Sequence, residues 1–267
     1  MRLLFAADAL RELRRLATDR VLLGFDFDGT LAPIVARPRD AALRPSTRRL
    51  LHEVARLYPC VVISGRERAD LARRLKGIRL RELVGNHGLQ IGTVESDARK
   101  LVAHWRQQLK IQLDPHAGIM LEDKGATLAV HYRKASRPAS ARRAILAAAA
   151  ALPAARVLKG KMVVDVLPEG APNKGTALQS QREQAGCRAA IYVGDDRTDE
   201  DVFALTGSEP VLGIRVGRRR NSRATYYLRR QDEIDQLLST LIEARVGHQV
   251  VAMATRQSHM SPSKARR

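Results

Sequence analysis

The chain has 267 residues, with 47 Lys and Arg against 28 Asp and Glu, so it can form one large domain or a core with a modest insertion, at a formal charge of +19. Apolar residues at 45% allow a buried core, no apolar run is long enough to span a membrane, and two cysteines (Cys60 and Cys187) provide neither a disulfide framework nor metal-ligand spacing. The excess charge is almost all arginine, spread along alanine-rich stretches without interleaved aromatics, which argues against nucleic acid as the main partner and suits attraction of a small phosphorylated molecule.

The first residues look faintly like a signal peptide, but Asp8, Arg11 and Glu12 break the apolar stretch, and a helix leading into the first strand is expected. A reducing compartment, the cytoplasm, is the expected location, with both cysteines as buried thiols. Val21–Phe25 is a short apolar run ending at Asp26, and a helical pattern follows over Ser46–Leu57. Cys60–Ile63 runs into Ser64-Gly65-Arg66, with a helix from Glu67 to Leu75; Leu83-Val84 runs into Gly85-Asn86-His87-Gly88. Much later, Ala189–Val193 runs into Gly194-Asp195-Asp196. Strands alternating with helices predict an α/β fold, a Rossmann-like parallel sheet with helices on both faces and polar clusters at the strand ends, where such sheets bind ligands.

The middle of the chain has a different rhythm. Asp97–Leu113 reads as a helix carrying Trp105. Ile119–Glu122 and Thr127–Tyr132 form a hairpin about Lys124-Gly125, Ser140–Leu152 reads as a helix, and Arg156–Leu158 and Met162–Val166 form a second hairpin about Lys159-Gly160. This predicts a small α+β unit over residues 89–169, inserted as a cap into a core of residues 1–88 and 170–247. From about Gly247 the apolar periodicity fades, and residues 248–267 are expected to be a disordered basic tail.

Asp26-Phe27-Asp28-Gly29-Thr30 carries the strongest chemical signal. In extended backbone, positions i and i+2 point the same way, so the two carboxylates face one pocket and need a cation between them. Oxygen ligands favour Mg2+. One carboxylate can attack phosphorus while the other exchanges protons with the leaving oxygen and then with water. Gly29 permits a sharp turn, and Thr30 adds a donor for the phosphate. Lys174 supplies a point charge, and the acidic crowd Asp195, Asp196, Asp199 and Glu200 follows another apolar run, which is costly without a metal.

These motifs, in order, resemble the four motifs of the haloacid dehalogenase-like (HAD) phosphatase superfamily. The resemblance implies Asp26 as nucleophile and Asp28 as general acid/base, with the Asp28 carbonyl joining the Asp26 side chain on Mg2+. It implies Asp195 as a direct metal ligand and Asp196 as one acting through water. Ser64 would bond a phosphoryl oxygen and Lys174 would balance Asp26 and the phosphate, with Gly29, Thr30, Gly65, Arg66 and His87 on the phosphate and substrate side. Asp199 would position Lys174 or another ligand, and Glu200 would favour a helix N-terminus.

Over most of residues 18–245 the chain further resembles the trehalose-6-phosphate phosphatase family. The residues that carry this are Gly85-Asn86-His87-Gly88, Glu122-Asp123-Lys124 with His131-Tyr132-Arg133, Gly160–Val166, the spacer to Lys174, and Ala224–Leu228. By that resemblance Glu122, Lys124 and Asp165 hold the sugar distal to the phosphate, and Arg133 shares the strand face with His131. The substrate expected is trehalose 6-phosphate. The alternatives are a glucosyl- or mannosylglycerate phosphate or sucrose phosphate, because Leu89-Gln90 and Asp165 depart from the acidic residue and the Glu common in the family.

Overall fold

The computed structural model describes residues 1–89, 95–113, 117–160, 162–207 and 210–259. The larger unit contains β1 (Arg2–Leu3), α1 (Ala7–Thr18), β2 (Val21–Phe25), α2 (Pro45–Leu57), β3 (Cys60–Ile63), α3 (Arg68–Arg74) and β4 (Glu82–Val84). The chain then builds α4 (Glu95–Leu113), β5 (Met120–Asp123), β6 (Leu128–His131), α5 (Pro138–Ala150), β7 (Ala155–Lys159) and β8 (Val163–Pro168). It returns to the larger unit through α6 (Lys174–Gln184), β9 (Ala189–Gly194), α7 (Glu200–Phe203), β10 (Val211–Val216), β11 (Tyr226–Leu228) and α8 (Ile234–His259).

The larger sheet has seven strands in the order β1-β11-β10-β9-β2-β3-β4, and every pair in it is parallel. Every residue of the central strands β2 and β9 is buried, as strands covered on both faces must be. One face packs Leu23, Phe25, Val62 and Ile191 against Leu13 of α1, Leu51 and Val54 of α2 and Leu237 of α8. The other packs Leu22, Val61, Ile63 and Tyr192 against Leu178 of α6 and Phe203 of α7. After the edge strand β1 the chain passes to the centre of the sheet at β2, steps to β3 and β4 on one side, and comes back at β9 on the other. The loops after β2 and β9 therefore leave a topological switch point, where neighbouring strands send their connections apart and open a crevice. The register pairs Phe25 with both Val62 and Val193, so the loops beginning at Asp26, Ser64 and Gly194 start at one level.

The second sheet is antiparallel, ordered β5-β6-β8-β7. Alternation sends Leu128, Val130, Val164 and Val166 to a face covered by Trp105 and Leu109 of α4 and Ile145 of α5. The same alternation turns Asp165 to the opposite face. Trp105 donates its indole N–H to the Pro153 carbonyl at 3.0 Å and so satisfies its one polar atom in a dry core.

Two expectations need correction. The chain begins with a two-residue edge strand paired to β11 rather than directly with a helix. The tail expected from residue 248 is helical as far as His259, because 248–259 contains no Pro or Gly and includes the strong helix formers Ala252, Met253 and Ala254. Residues 260–267 lie outside the described residues, as do Gln90 and Lys161. No helix among the described residues is long and apolar enough to cross a membrane, and Cys60 and Cys187 are both buried and free.

Candidate active site

Asp26 follows β2 directly, its N–H donating to the Val193 carbonyl at 2.9 Å, and it is only 5% exposed. The chain then reverses: Gly29 donates to the Ala32 carbonyl and Ala32 to that of Phe27, both at 2.8 Å. Gly29 has φ of +81°, and a Cβ there would lie 2.2 Å from Asp195 Oδ2, so only glycine lets the two acidic loops approach this closely.

Lys174 is the first residue of α6. Asn173 caps that helix reciprocally: its side chain accepts from the Thr176 N–H at 2.9 Å and its own N–H donates to Thr176 Oγ1 at 3.0 Å. The cap aims Lys174 under the sheet edge, where Nζ lies 2.9 Å from Asp26 Oδ1 and 2.7 Å from Asp199 Oδ1. Burial works against that ammonium, and Asp199 and Asp26 outweigh it, holding its pKa well above the lysine range. Asp199 is fully buried and serves as the hub: it also accepts from Tyr192 Oη at 2.8 Å and from the N–H groups of Asp195 and Asp196 at 2.9 and 2.8 Å. Tyr192 was not picked out from sequence, where it reads only as a strand residue. Its hydroxyl is pushed far up by burial and by Asp199, so it stays a neutral donor.

Oxygen atoms of Asp26, Asp195 and Asp199 come within 4.8 Å of one another. Asp199 is saturated by four donors, but Asp195 Oδ1 is buried with no hydrogen-bond partner among the described residues. Burial, then neighbouring carboxylates, raise both Asp195, to about 7, and Asp26, whose pairing with Lys174 only partly offsets the rise. One ammonium among three carboxylates leaves uncompensated negative charge, and an orphaned acceptor points into it. Hard oxygen donors of this kind fit a divalent cation such as Mg2+.

The Ser64 loop is wrapped by the Gly85–Gly88 loop: His87 N–H donates to the Ser64 carbonyl and Asn86 N–H to that of Arg66, both at 2.9 Å. Asn86 and His87 hold φ of +50° and +59°, an uncommon conformation for residues with side chains. It lays the imidazole over Gly65, where an added Cβ would sit 2.4 Å from the ring. Neither buried ring nitrogen of His87 has a hydrogen-bond partner among the described residues, and Nε2 lies 3.7 Å from Asp165 Oδ2. Arg66 does something that its sequence position did not announce: its Nε and Nη2 donate to both oxygens of Asp28, at 2.6 and 2.7 Å, while Nη1 reaches Asp70 at 2.8 Å.

From the second sheet, Lys124 reaches down to Asp165 Oδ1 at 2.9 Å and to the Gly65 carbonyl at 3.1 Å, and Asn86 Nδ2 donates to the Lys124 carbonyl at 2.9 Å. Burial opposes the Asp165 charge, but Lys124 and then His87 outweigh it, so its carboxyl lies well below the usual range. Glu122 is bonded to His131 Nε2 at 2.6 Å and is lowered chiefly by that bond. A cavity of about 490 Å3 joins these groups: Asp26, Asp28, Ser64, Gly65, Arg66, His87, Glu122, Lys124, Arg133, Asp165, Lys174, Asp195 and Asp196 all line it. Gly29 and Thr30 do not; Thr30 is fully buried behind the loop. His131 also lines the cavity; its sequence signals were alternation with Arg133 and its place among the residues that carry the family resemblance.

A parallel sheet with a switch point at these acidic loops, and an α+β unit inserted between the Ser64 loop and Lys174, is the fold of the haloacid dehalogenase-like phosphatases. Residues 24–232 match the family model described as trehalose-phosphatase, and the chain belongs to that family. It is 36% identical over 263 residues to an uncharacterized glycosyl hydrolase of Mycobacterium tuberculosis, covering 88% of this chain and 19% of that protein. It is 28% identical to probable trehalose-phosphate phosphatase 4 of Oryza sativa (84% of this chain, 66% of that one) and 33% identical to a Mycobacterium bovis trehalose-phosphate phosphatase (70% and 51%). The chain thus spans less than two thirds of the length of each of these curated relatives. Among solved structures, the C-terminal domain of C. albicans trehalose-6-phosphate phosphatase superposes with a TM-score of 0.74 at 21% identity, over 87% of this chain and 96% of that one. A trehalose-6-phosphate phosphatase related protein gives 0.69 at 22%, over 85% and 99%.

Proposed function

We propose that this chain is a magnesium-dependent phosphatase that hydrolyses trehalose 6-phosphate to trehalose and phosphate in the cytoplasm, as the last step of trehalose synthesis. The observation that carries the reading is one cavity with a phosphate-sized acidic and cationic floor at Asp26, Lys174 and Asp195, and a roof of alternating carboxylates and cations at Glu122, Lys124 and Asp165. The proposal includes the division into a core (1–88 and 170–247) and a cap (89–169), which the two separately packed sheets support.

In this reading Asp26 attacks phosphorus and the sugar oxygen departs with a proton from Asp28. An aspartyl phosphate remains on Asp26. Asp28 then takes a proton from the water that attacks this intermediate, and phosphate leaves. Lys174 holds Asp26 in one direction and offsets charge as the anions meet, while Asp199 and Tyr192 fix Lys174. Arg66 sets the direction of Asp28 before substrate arrives. An incoming phosphoryl group competes for the guanidinium, which loosens its hold on Asp28 and frees that carboxyl for proton transfer. Ser64 Oγ faces the same floor as a donor. The side chains of Asp26 and Asp195, the Asp28 carbonyl and, through water, Asp196 would hold magnesium, which when bound screens negative charge between carboxylate and phosphoryl oxygens.

On the roof, Glu122, Lys124, Arg133 and Asp165 offer acceptors and donors to sugar hydroxyls, with His87 between floor and roof, its Nε2 3.7 Å from Asp165 Oδ2. The test is phosphate release from a panel of sugar phosphates, with Mg2+ and with chelator. Strong Mg2+-dependent release from trehalose 6-phosphate alone is expected. Release only from a glucosyl- or mannosylglycerate phosphate or sucrose phosphate would keep the chemistry and replace the substrate. No release from any, with the protein folded, would overturn the reading.

A further inference from the structure

The loop that carries Asp195 and Asp196 is gripped on two sides. Asp199 takes the N–H groups of both residues. The carbonyls of the same two residues are taken by Arg215, a residue of β10 that the sequence does not single out. The parallel register sets Arg215 against Gly194, so its side chain starts at the level where β9 gives way to the loop. One guanidinium nitrogen, Nη1, donates to the Asp196 carbonyl at 3.0 Å and to Glu200 Oε1 at 3.0 Å; the other, Nη2, donates to the Asp195 carbonyl. Glu200 is itself anchored, its second oxygen accepting from the Arg223 N–H at 3.0 Å.

The Arg215 side chain is 7% exposed and is absent from the lining of the cavity, so it does not meet substrate. A guanidinium packed behind a cation site repels the cation by simple electrostatics. Its contribution must therefore come from its shape, a planar fork whose two nitrogens fit two successive carbonyls. With the N–H and C=O of both residues held, the direction in which the Asp195 carboxylate leaves the loop is set, and one of its oxygens comes within 4.8 Å of carboxylate oxygens of Asp26 and Asp199.

We propose that Arg215 is a positioning residue for the divalent-metal site: by bracketing the Asp195 and Asp196 carbonyls it sets the affinity for Mg2+ without touching metal or substrate. This rests on the reading of the acidic cluster as a magnesium site.

The sign of the effect separates shape from charge. If Arg215 acted only as a charge, replacing it with an isosteric neutral residue would tighten Mg2+ binding. If it holds the loop, the same change weakens binding. Isothermal titration of Mg2+ into the full chain, as wild type, Arg215→Met, Arg215→Lys and Glu200→Gln, reads this directly, alongside the Mg2+ dependence of phosphate release. Arg215→Met is expected to weaken Mg2+ about 10–100-fold, with most of the wild-type kcat recovered at saturating Mg2+. Arg215→Lys, which keeps the charge and loses the fork, is expected to weaken binding nearly as much, and Glu200→Gln less. Unchanged or tighter binding in Arg215→Met overturns the proposal. If circular dichroism shows Arg215→Met unfolded, Arg215→Lys decides on the same criterion. Failure of the wild type itself to bind Mg2+ would overturn the metal reading and this proposal with it, an outcome distinct from binding that is indifferent to Arg215.

Discussion

Asparagine at position 195 is expected to stabilise the metal-free protein while removing its response to magnesium. Burial, and after it the charges of Asp199 and Asp196, raise the Asp195 carboxyl from 3.8 to about 7. Below the unfolded-state value of about 3.9 the group is protonated in both states and costs nothing. As pH rises through the folded value the native state must ionise it against its surroundings, so the stability present at low pH is lost and the cost is complete above about pH 8. Some three units at 1.36 kcal/mol each give about 4 kcal/mol, and the partial exposure of Asp195 to solvent brings this to about 2–4 kcal/mol. For a chain of this size that is a rise in Tm of roughly 5–15 °C for Asp195→Asn in chelator at pH 8, and about a third of that gain at pH 5. Magnesium relieves the same repulsion, so it should raise the Tm of the wild type and leave the variant unmoved. Differential scanning calorimetry at both pH values, with chelator and with Mg2+, provides the comparison. A variant no more stable than wild type in chelator at pH 8, or one whose gain is as large at pH 5, would refute the reasoning.

Asp26→Asn should lower kcat by about four orders of magnitude or more with an unchanged circular dichroism spectrum; activity within tenfold of wild type would remove Asp26 from the nucleophile's role. Glu122→Ala should lower kcat/KM for trehalose 6-phosphate about 10–100-fold, the worth of a hydrogen bond to a charged group, and leave p-nitrophenyl phosphate hydrolysis nearly unchanged. Equal losses on both substrates would argue against a sugar-reading roof. Gly29→Ala forces a Cβ against the Asp195 carboxylate in a left-handed turn, so Mg2+ titration of activity should show affinity weakened about tenfold or more; an unshifted midpoint would mean that the two loops need not approach so closely.

The grouping of the floor residues was legible because its signals are local. Asp26 and Asp28, two apart just after β2, both line the cavity, Gly29 marks the turn, and Asp195 follows an apolar strand. The face of the second sheet was legible in the same way: period two in β6 and β8 separates Val130 and Val164 from Asp165. Other features involve partners far apart in sequence. Arg66 looked like a phosphate ligand from its loop, yet it clasps Asp28, 38 residues earlier. Tyr192 and Arg215 look like strand residues until the loops are folded over their ends. Fading amphipathicity from residue 248 predicts a tail, whereas α8 continues to His259 through a stretch without Pro or Gly.

Residue type and short-range periodicity were enough to read the alternation of strands and helices, the second unit between Gly88 and Lys174, and the carboxylates and the lysine that meet on the floor. Tertiary structure alone decided that β9 lies against β2, which brings Asp195 beside Asp26. It alone decided that Asp199 gathers Lys174, Tyr192 and two backbone amides, and that Lys124 crosses from one sheet to the other. Those choices follow from burying apolar faces of the whole chain at once, and no local pattern encodes which distant side chain a buried charge will find.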